Sequence, residues 1–224
     1  MDLIYTGAGN SRLAKIAIDS GFLFGAQLPG KVYHPVYFAD QDWKKPNRKK
    51  YMQALAEHRP KIASVVDLES FEQLDEVLSW SEEASSFVEV VIIIPKVSGI
   101  IPLLPYKINN SEVRIGFSVP TSYGGTQVPI WEFQERGVHL LGGSPQSQMY
   151  ISHYMETKSV DCNMFQKMAT IYCKSWVPNK MNVGGYWLSL NQLDGYVWGK
   201  DAPYEAFRRS CVNIIQAWKE LKGR

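Results

Sequence analysis

The chain has 224 residues, 45% hydrophobic and 12% aromatic, which is ample for a packed core. Its formal net charge is +2 with 21% charged residues, too mildly basic for overall charge to argue for a nucleic-acid partner. Cys162, Cys173 and Cys211 lie far apart, with no CxxC or Cys/His pair at metal-ligand spacing, so neither a disulfide framework nor a zinc site is supported and free thiols are expected.

The N-terminal stretch MDLIYTGAGN lacks the basic region and the long apolar run of a signal peptide. The longest apolar stretch, residues 88–95, carries Glu89 and is too short to span a bilayer. A cytoplasmic protein without membrane association is expected.

Along the chain, short apolar runs recur, each ending in polar or small residues. The first, 3–5, leads into TGAGN, where Asn10 or Ser11 can cap a helix carrying Leu13, Ile16 and Ala17 that ends at Gly21. A second run covers 22–24 and a third 36–38, joined by a linker over 28–35 that is too short for a helical crossover but can extend roughly 25 Å. Pro46 can start a helix with Tyr51, Ala54 and Leu55, and a fourth run follows at 63–66. Ser70 and Gln73 have the spacing of a capping box before Phe71, Leu74 and Leu78. Runs follow at 88–94, 113–117 and 138–141, and the segment SGIIPLLPYKINN after the fifth is too proline-rich for a helix. Ser144-Pro145 opens a helix with Met149, Tyr150, His153 and Tyr154. The eighth run is 159–160, and Asn163 can cap the next helix, with Phe165, Met168, Ala169 and Tyr172. The stretch WVPNKMNVGGYWLSLNQLDGYVWGKDA reads as an irregular aromatic cap, and Phe207, Cys211, Ile214, Trp218 and Leu221 stripe a final amphipathic helix.

Near-continuous apolar runs suit strands buried on both faces of a parallel sheet. Eight of them alternating with helices predict an α/β fold, a compact, irregular (β/α)8 TIM-like barrel over about residues 1–175, with a C-terminal helical and aromatic cap over 176–224 in the same domain. An open doubly wound sheet is the structural alternative.

In such barrels chemistry sits at the C-terminal ends of the strands. Those ends carry Asn10, Gln27, Asp40, Asp42, Asp67, Glu69, Lys96, Ser118, Ser144 and Asp161. An aspartate after a strand often caps the following helix, but Asn163 and Ser70 are the better caps beside Asp161 and Asp67. Three carboxylates, Asp40, Asp67 and Asp161, converging on one mouth would raise each other's pKa, a cost that argues for a functional set. The turn containing Gly142, Gly143 and Ser144 reads either as a phosphate cradle or as a tight turn with a Ser N-cap. No Rossmann fingerprint, P-loop lysine or Gly-x-Ser-x-Gly elbow is present, and no cofactor or metal is expected. The four histidines show no paired spacing and read as surface or core residues. The run KKPNRKK places Lys44, Lys45, Arg48, Lys49 and Lys50 at a helix N-terminus, where the helix dipole disfavours cations. It reads either as a solvated helix start or as a phosphate-contacting surface, with Trp43 stacking on a base.

YFADQDW, SVVDLE, and VHLLGGSP followed by a helix and SVDCN together resemble the tRNA-guanine transglycosylase superfamily. The likeness is strongest to its short paralogues that insert 7-deazaguanine bases into phage and bacterial DNA. The resemblance covers roughly residues 1–175, and the Asp-Cys pair after the glycine-turn helix is its most specific element. It implies that Asp161 attacks C1′ and displaces guanine, that Asp40 handles the base's proton, and that Asp67 binds the base's donors. DNA and a 7-deazaguanine-type base would be the partners, with Asp42, Ser118, Gly142, Gly143 and Ser144 around the substrate. The Cys-x-Cys-x2-Cys zinc pattern of the tRNA enzymes is absent, Pro95-Lys96 stands where the family has glutamine, and Asp42 competes with Asp40. Two other readings are a nucleoside or deoxyribosyl hydrolase, and a nucleic-acid-binding protein of a phage or mobile element whose acids are helix caps.

Overall fold

The computed structural model describes residues 1–7, 11–122, 124–179, 184–195 and 199–223. The expected cap Asn10 lies outside the described residues. The strands are β1 (Asp2–Thr6), β2 (Leu23–Leu28), β3 (Phe38–Gln41), β4 (Ile62–Ser64), β5 (Val90–Ile93), β6 (Lys107–Ile108), β7 (Ser111–Ser118), β8 (Val138–Leu141), β9 (Thr157–Cys162), β10 (Lys174–Pro178) and β11 (Gly185–Ser189). Helices α1 (Ser11–Ser20), α2 (Arg48–His58), α3 (Leu74–Ala84), α4 (Pro145–Ile151), α5 (Met164–Tyr172) and α6 (Ala202–Lys222) surround them.

Each barrel strand pairs in parallel with its neighbours in the order β5-β4-β3-β2-β1-β9-β8-β7, and a further β5–β7 pairing closes the ring. The chain is therefore a closed, parallel, eight-stranded TIM-like barrel, with β6 added as a short antiparallel hairpin on β7. Each predicted apolar run contributes to one strand. The segment from Pro29 to Tyr37 contains no helix, as its shortness predicts, and the chain after β5 forms only a 3-10 turn at Ile101–Leu103. Arg136 stitches that irregular segment down, donating to the carbonyl oxygens of Leu104 at 2.9 Å and Pro105 at 2.8 Å.

Two apolar cores result. The larger fills the shell between strands and helices. The smaller comprises Ile4, Phe38, Ile62, Val90, Ile92 and Ile94 and lies inside the barrel. Period-2 alternation along each strand separates the two sets. Gly25 and Gly116 belong to the inner set. A Cβ on Gly25 would sit 2.9 Å from Ile4 Cγ2, and one on Gly116 would sit 2.7 Å from Ile94 Cγ1 and 2.8 Å from Leu141 Cδ1. Their missing side chains make room for the isoleucines opposite.

Several local expectations are corrected. The cap of α2 is Asn47, whose Oδ1 accepts from Lys50 N at 3.0 Å, so Pro46 precedes the cap. Ser70 and Gln73 do not close a capping box: Gln73 Oε1 accepts from Glu69 N instead, and a 3-10 turn leads into α3. Asn163 occupies the cap position of α5 without a side-chain cap bond. The stretch read as irregular contains the antiparallel β10–β11 hairpin, which a core-buried Trp176 and cross-strand pairing with Trp187 hold together.

Helix α6 packs against α1, α5 and β10. Its Phe207 ring is fully buried between Tyr5 (centroids 5.3 Å apart) and Phe165 (5.2 Å). Ser210 Oγ accepts from Trp176 N at 2.9 Å, and Asn213 Nδ2 donates to Trp176 O at 2.8 Å, so the helix also completes the hairpin's backbone bonding. Phe207→Ala empties the junction of three elements and is expected to cost about 3–5 kcal/mol in urea unfolding. A loss below about 1 kcal/mol would show that α6 is an accessory rather than part of the core.

Candidate active site

The C-terminal mouth of the barrel holds a cavity of about 620 Å³. Asp40, Asp67 and Asp161 all line it, together with Trp43, Ser64, Lys96, Ser118, Gly142 and Gly143. The three acids thus share one hollow although they come from distant points of the chain.

Asp161 lies within β9, paired in register with Ile4 on one side and Leu141 on the other. Its side chain is 13% exposed and that of His139 is 0% exposed. Its Oδ1 lies 3.2 Å from His139 Nε2, with Gly142 N at 3.4 Å as a second, longer donor. Gln148 on α4 braces the same spot, donating from Nε2 to the carbonyl oxygens of Asp161 (2.7 Å) and Gly142 (2.8 Å). The intervening turn needs its glycines: φ is +64° at Gly142 and +76° at Gly143, and a Cβ on Gly143 would sit 2.8 Å from Val119 Cβ. The adjoining Cys162 is buried. Its thiol donates to Gly143 O at 3.1 Å, and burial pushes its pKa up to about 12, so it is a structural thiol rather than a nucleophile.

Asp40 lies in β3, next to Gln27 of β2 in register. Ser64, at the end of β4, accepts from Gln41 N at 2.9 Å and donates to Asp40 Oδ1 at 3.0 Å. The buried Tyr51 hydroxyl of α2 lies 2.6 Å from Ser64 O and locks the strand end. Burial raises the Asp40 pKa to about 7, with the negative charge of Asp161 adding to the rise and the Ser64 hydrogen bond opposing it. Asp67 follows β4 where the chain runs beside the end of β5, Lys96 N donating to Leu68 O at 2.9 Å. Lys96 Nζ lies 3.4 Å from Asp67 Oδ2. Burial raises the Asp67 pKa while Lys96 draws it down. Thr6 also lines the cavity, and its buried Oγ1 has no hydrogen-bond partner among the described residues.

Other candidates are placed elsewhere. Ser144 is the N-cap of α4, its Oγ accepting from Ser147 N at 3.2 Å, and Pro145 takes the first helical position, so the turn is capped as the tight-turn reading expects. Asp42 is turned into its own loop, where Oδ1 accepts from Lys44 N at 3.1 Å and lies 3.4 Å from Lys45 N, and it is not among the cavity-lining residues. The basic run is split. Lys44 rests over the Trp43 ring, 5.2 Å from its centroid, and Trp43 is 65% exposed at the cavity wall. Lys45 and Lys50 are exposed. Arg48 is tied to Glu83 at 2.7 Å and to Ser79 O at 2.8 Å, and with Lys49 it lines a shallow groove between α2 and α3. That ion pair offsets part of the unfavourable helix-dipole interaction at Arg48.

The residues that sequence reasoning missed are His139, Ser159, Ser64, Gln148 and Thr6, and Lys96 was noted only as a strand-end residue. Among the described residues no group of three or more His, Cys, Asp or Glu is placed to hold a metal ion, and no helix is long and apolar enough to cross a membrane.

Fold and site together define a TIM-like barrel with an acidic pocket at its C-terminal mouth. The chain belongs to a family of unknown function, DUF6610, whose match spans residues 17–219. No curated protein matches it.

Because Asp40 binds its proton more tightly folded than unfolded, it favours the fold at low pH. That contribution is lost as pH rises from about 4 through about 7. Asp40→Asn is therefore expected to be more stable than wild type at pH 8, on the order of 4 kcal/mol, with the difference shrinking towards pH 4. Denaturant titrations of both proteins across this range check it, and a pH-independent difference would contradict the environment described for Asp40.

Proposed function

We propose that the chain is a retaining N-glycosyl transferase that exchanges a purine in DNA, guanine for a 7-deazaguanine-type base, through an aspartyl-glycosyl ester. The observation that carries this reading is the pair Asp161 and Asp40 in one cavity: a carboxylate held beside His139 Nε2 and the Gly142 N–H, and a carboxyl that holds its proton to about pH 7. With Asp40 holding its proton, the two carboxyl groups can divide between acid/base and nucleophile.

Asp161 attacks C1′, the C1′–N9 bond breaks, and Asp40 gives its proton to the departing purine. The incoming base then returns a proton from N9 to Asp40, its nitrogen attacks C1′, and the ester C–O bond breaks. One proton is lent and recovered, and two inversions retain configuration. Asp67 with Lys96 offers an acceptor beside a donor, which matches the N–H and carbonyl edge of a 6-oxopurine. The cavity admits a base only from a single strand or a flipped nucleotide, and the exposed Trp43 stands where a neighbouring base can stack.

Incubation with DNA and labelled guanine tests the reading. Wild type is expected to incorporate label and to form a trappable covalent adduct. Asp161→Asn is expected to lose both by at least about a thousandfold while remaining folded. Guanine release without incorporation would make the chain a hydrolase, and DNA binding with neither reaction would make it a binding module. The split of the basic run gives a second expectation. Replacing Lys44 and Lys45 by Gln weakens DNA binding and flattens its salt dependence by about two in slope, whereas Lys49→Gln leaves both unchanged. Equal effects from the two sets would detach the binding surface from the cavity.

A further inference from the structure

Beneath Asp161 the barrel interior carries a column of polar side chains that the proposed reaction does not itself use. Arg114 on β7 is held by Glu112 (Nε to Oε1 3.0 Å, Nη2 to Oε2 3.2 Å) and lies 3.4 Å from Asp2 Oδ2. It donates from Nη1 to Ser159 Oγ at 3.1 Å. Ser159 Oγ lies 2.7 Å from His139 Nδ1, and His139 Nε2 lies 3.2 Å from Asp161 Oδ1. Ser159 and His139 are both 0% exposed, so water does not substitute for these partners.

The donors and acceptors in this column have only one consistent order. A guanidinium has donors alone, so Ser159 Oγ accepts from Arg114. The serine's single proton then faces His139 Nδ1, which must accept it, and the ring's own proton sits on Nε2, aimed at Asp161. Were both ring nitrogens protonated, Ser159 would receive two donors. Its own proton would then have no acceptor among the described residues, a buried loss.

We propose that this column fixes His139 in the Nε2–H form and makes it the positioning residue for Asp161, holding Oδ1 and leaving Oδ2 as the attacking oxygen. The attack rests on the transferase reading, but the proton arrangement does not. Of Asp161's two oxygens, only Oδ1 has hydrogen-bond partners among the described residues.

Nitrogen-15 spectra of the histidine-labelled protein test it without substrate, with His139→Gln identifying the His139 signals by their loss. The expected pattern is a protonated Nε2 and an unprotonated Nδ1 in wild type, relaxing to a mixture in Ser159→Ala. A protonated Nδ1, a mixture in wild type, or an unchanged pattern in Ser159→Ala would each overturn the proposal. In single-turnover adduct formation His139→Leu is expected to be slower by about 10- to 100-fold at unchanged DNA affinity. His139→Gln, which keeps an N–H donor, should recover part of the rate, whereas wild-type speed in His139→Leu would overturn the positioning role. If wild type forms no adduct while the proton pattern stands, the transferase reading fails and the column survives.

Discussion

A ring of eight parallel strands closes around a space with no room for bulk water, so each polar group placed inside must find its partner inside. This chain meets that constraint by dividing the interior. Strands β3, β4 and β5 supply a hydrocarbon side built from Phe38, Ile62, Val90, Ile92 and Ile94. Strands β7, β8 and β9 supply Arg114, Ser159, His139 and Asp161, bonded in that order. The His139 ring joins the halves, packing on Phe38 with centroids 5.0 Å apart while its nitrogens serve the polar column. The placement of Asp161 is therefore an outgrowth of the way the barrel is filled.

The register of β9 makes this possible. Val138 pairs with Thr157 and His139 with Ser159, so an irregularity at Lys158 shifts the pairing by one residue. Without that shift Lys158 would stand beside His139, and Ser159 and Asp161 would be displaced from their partners on β8. A one-residue slip turns a strand's inner face outward. Here it delivers a hydroxyl and a carboxylate inward, while the Lys158 side chain pairs with Glu156 at 2.5 Å.

The fold was legible because burial on both faces writes itself as apolar runs, and those runs fall on the eight barrel strands. The pocket acids were legible for a related reason: a charged residue ending an apolar run is costly to explain away. What stayed hidden was whatever depends on the inner alternation. His139 and Ser159 stand two residues before Leu141 and Asp161, in phase with the cavity wall, but a histidine flanked by valine and leucine reads as core until its neighbour strand is known. The run KKPNRKK reads as one cluster in the linear sequence, whereas the turn into α2 separates its residues. Lys44 stays by the Trp43 ring while Arg48 leaves for Glu83. Asp42 and Ser144 were drawn into the candidate site by proximity to a strand end, and the backbone N–H groups beside them claimed their oxygens.

Exchange and hydrolysis share a first half-reaction, so on the proposed reading the outcome is decided by what stands next to the ester while it waits. A water molecule needs only a general base, and Asp40, deprotonated once guanine has left, would serve either acceptor. Selection therefore has to come from the base-binding wall. Asp67 and Lys96, a partly exposed ion pair on the cavity wall, set an acceptor beside a donor, which on the proposed reading matches a purine edge in a way that a single water molecule does not. The same wall holds Thr6, whose hydroxyl has no hydrogen-bond partner among the described residues. A cavity of about 620 Å³ is within the range of nucleotide-sized ligand sites, and its occupant must cover these groups to keep water from the ester. On the proposed reading, base exchange would then require no separate device for excluding water, because the second base would do so by filling the site that the first one vacated.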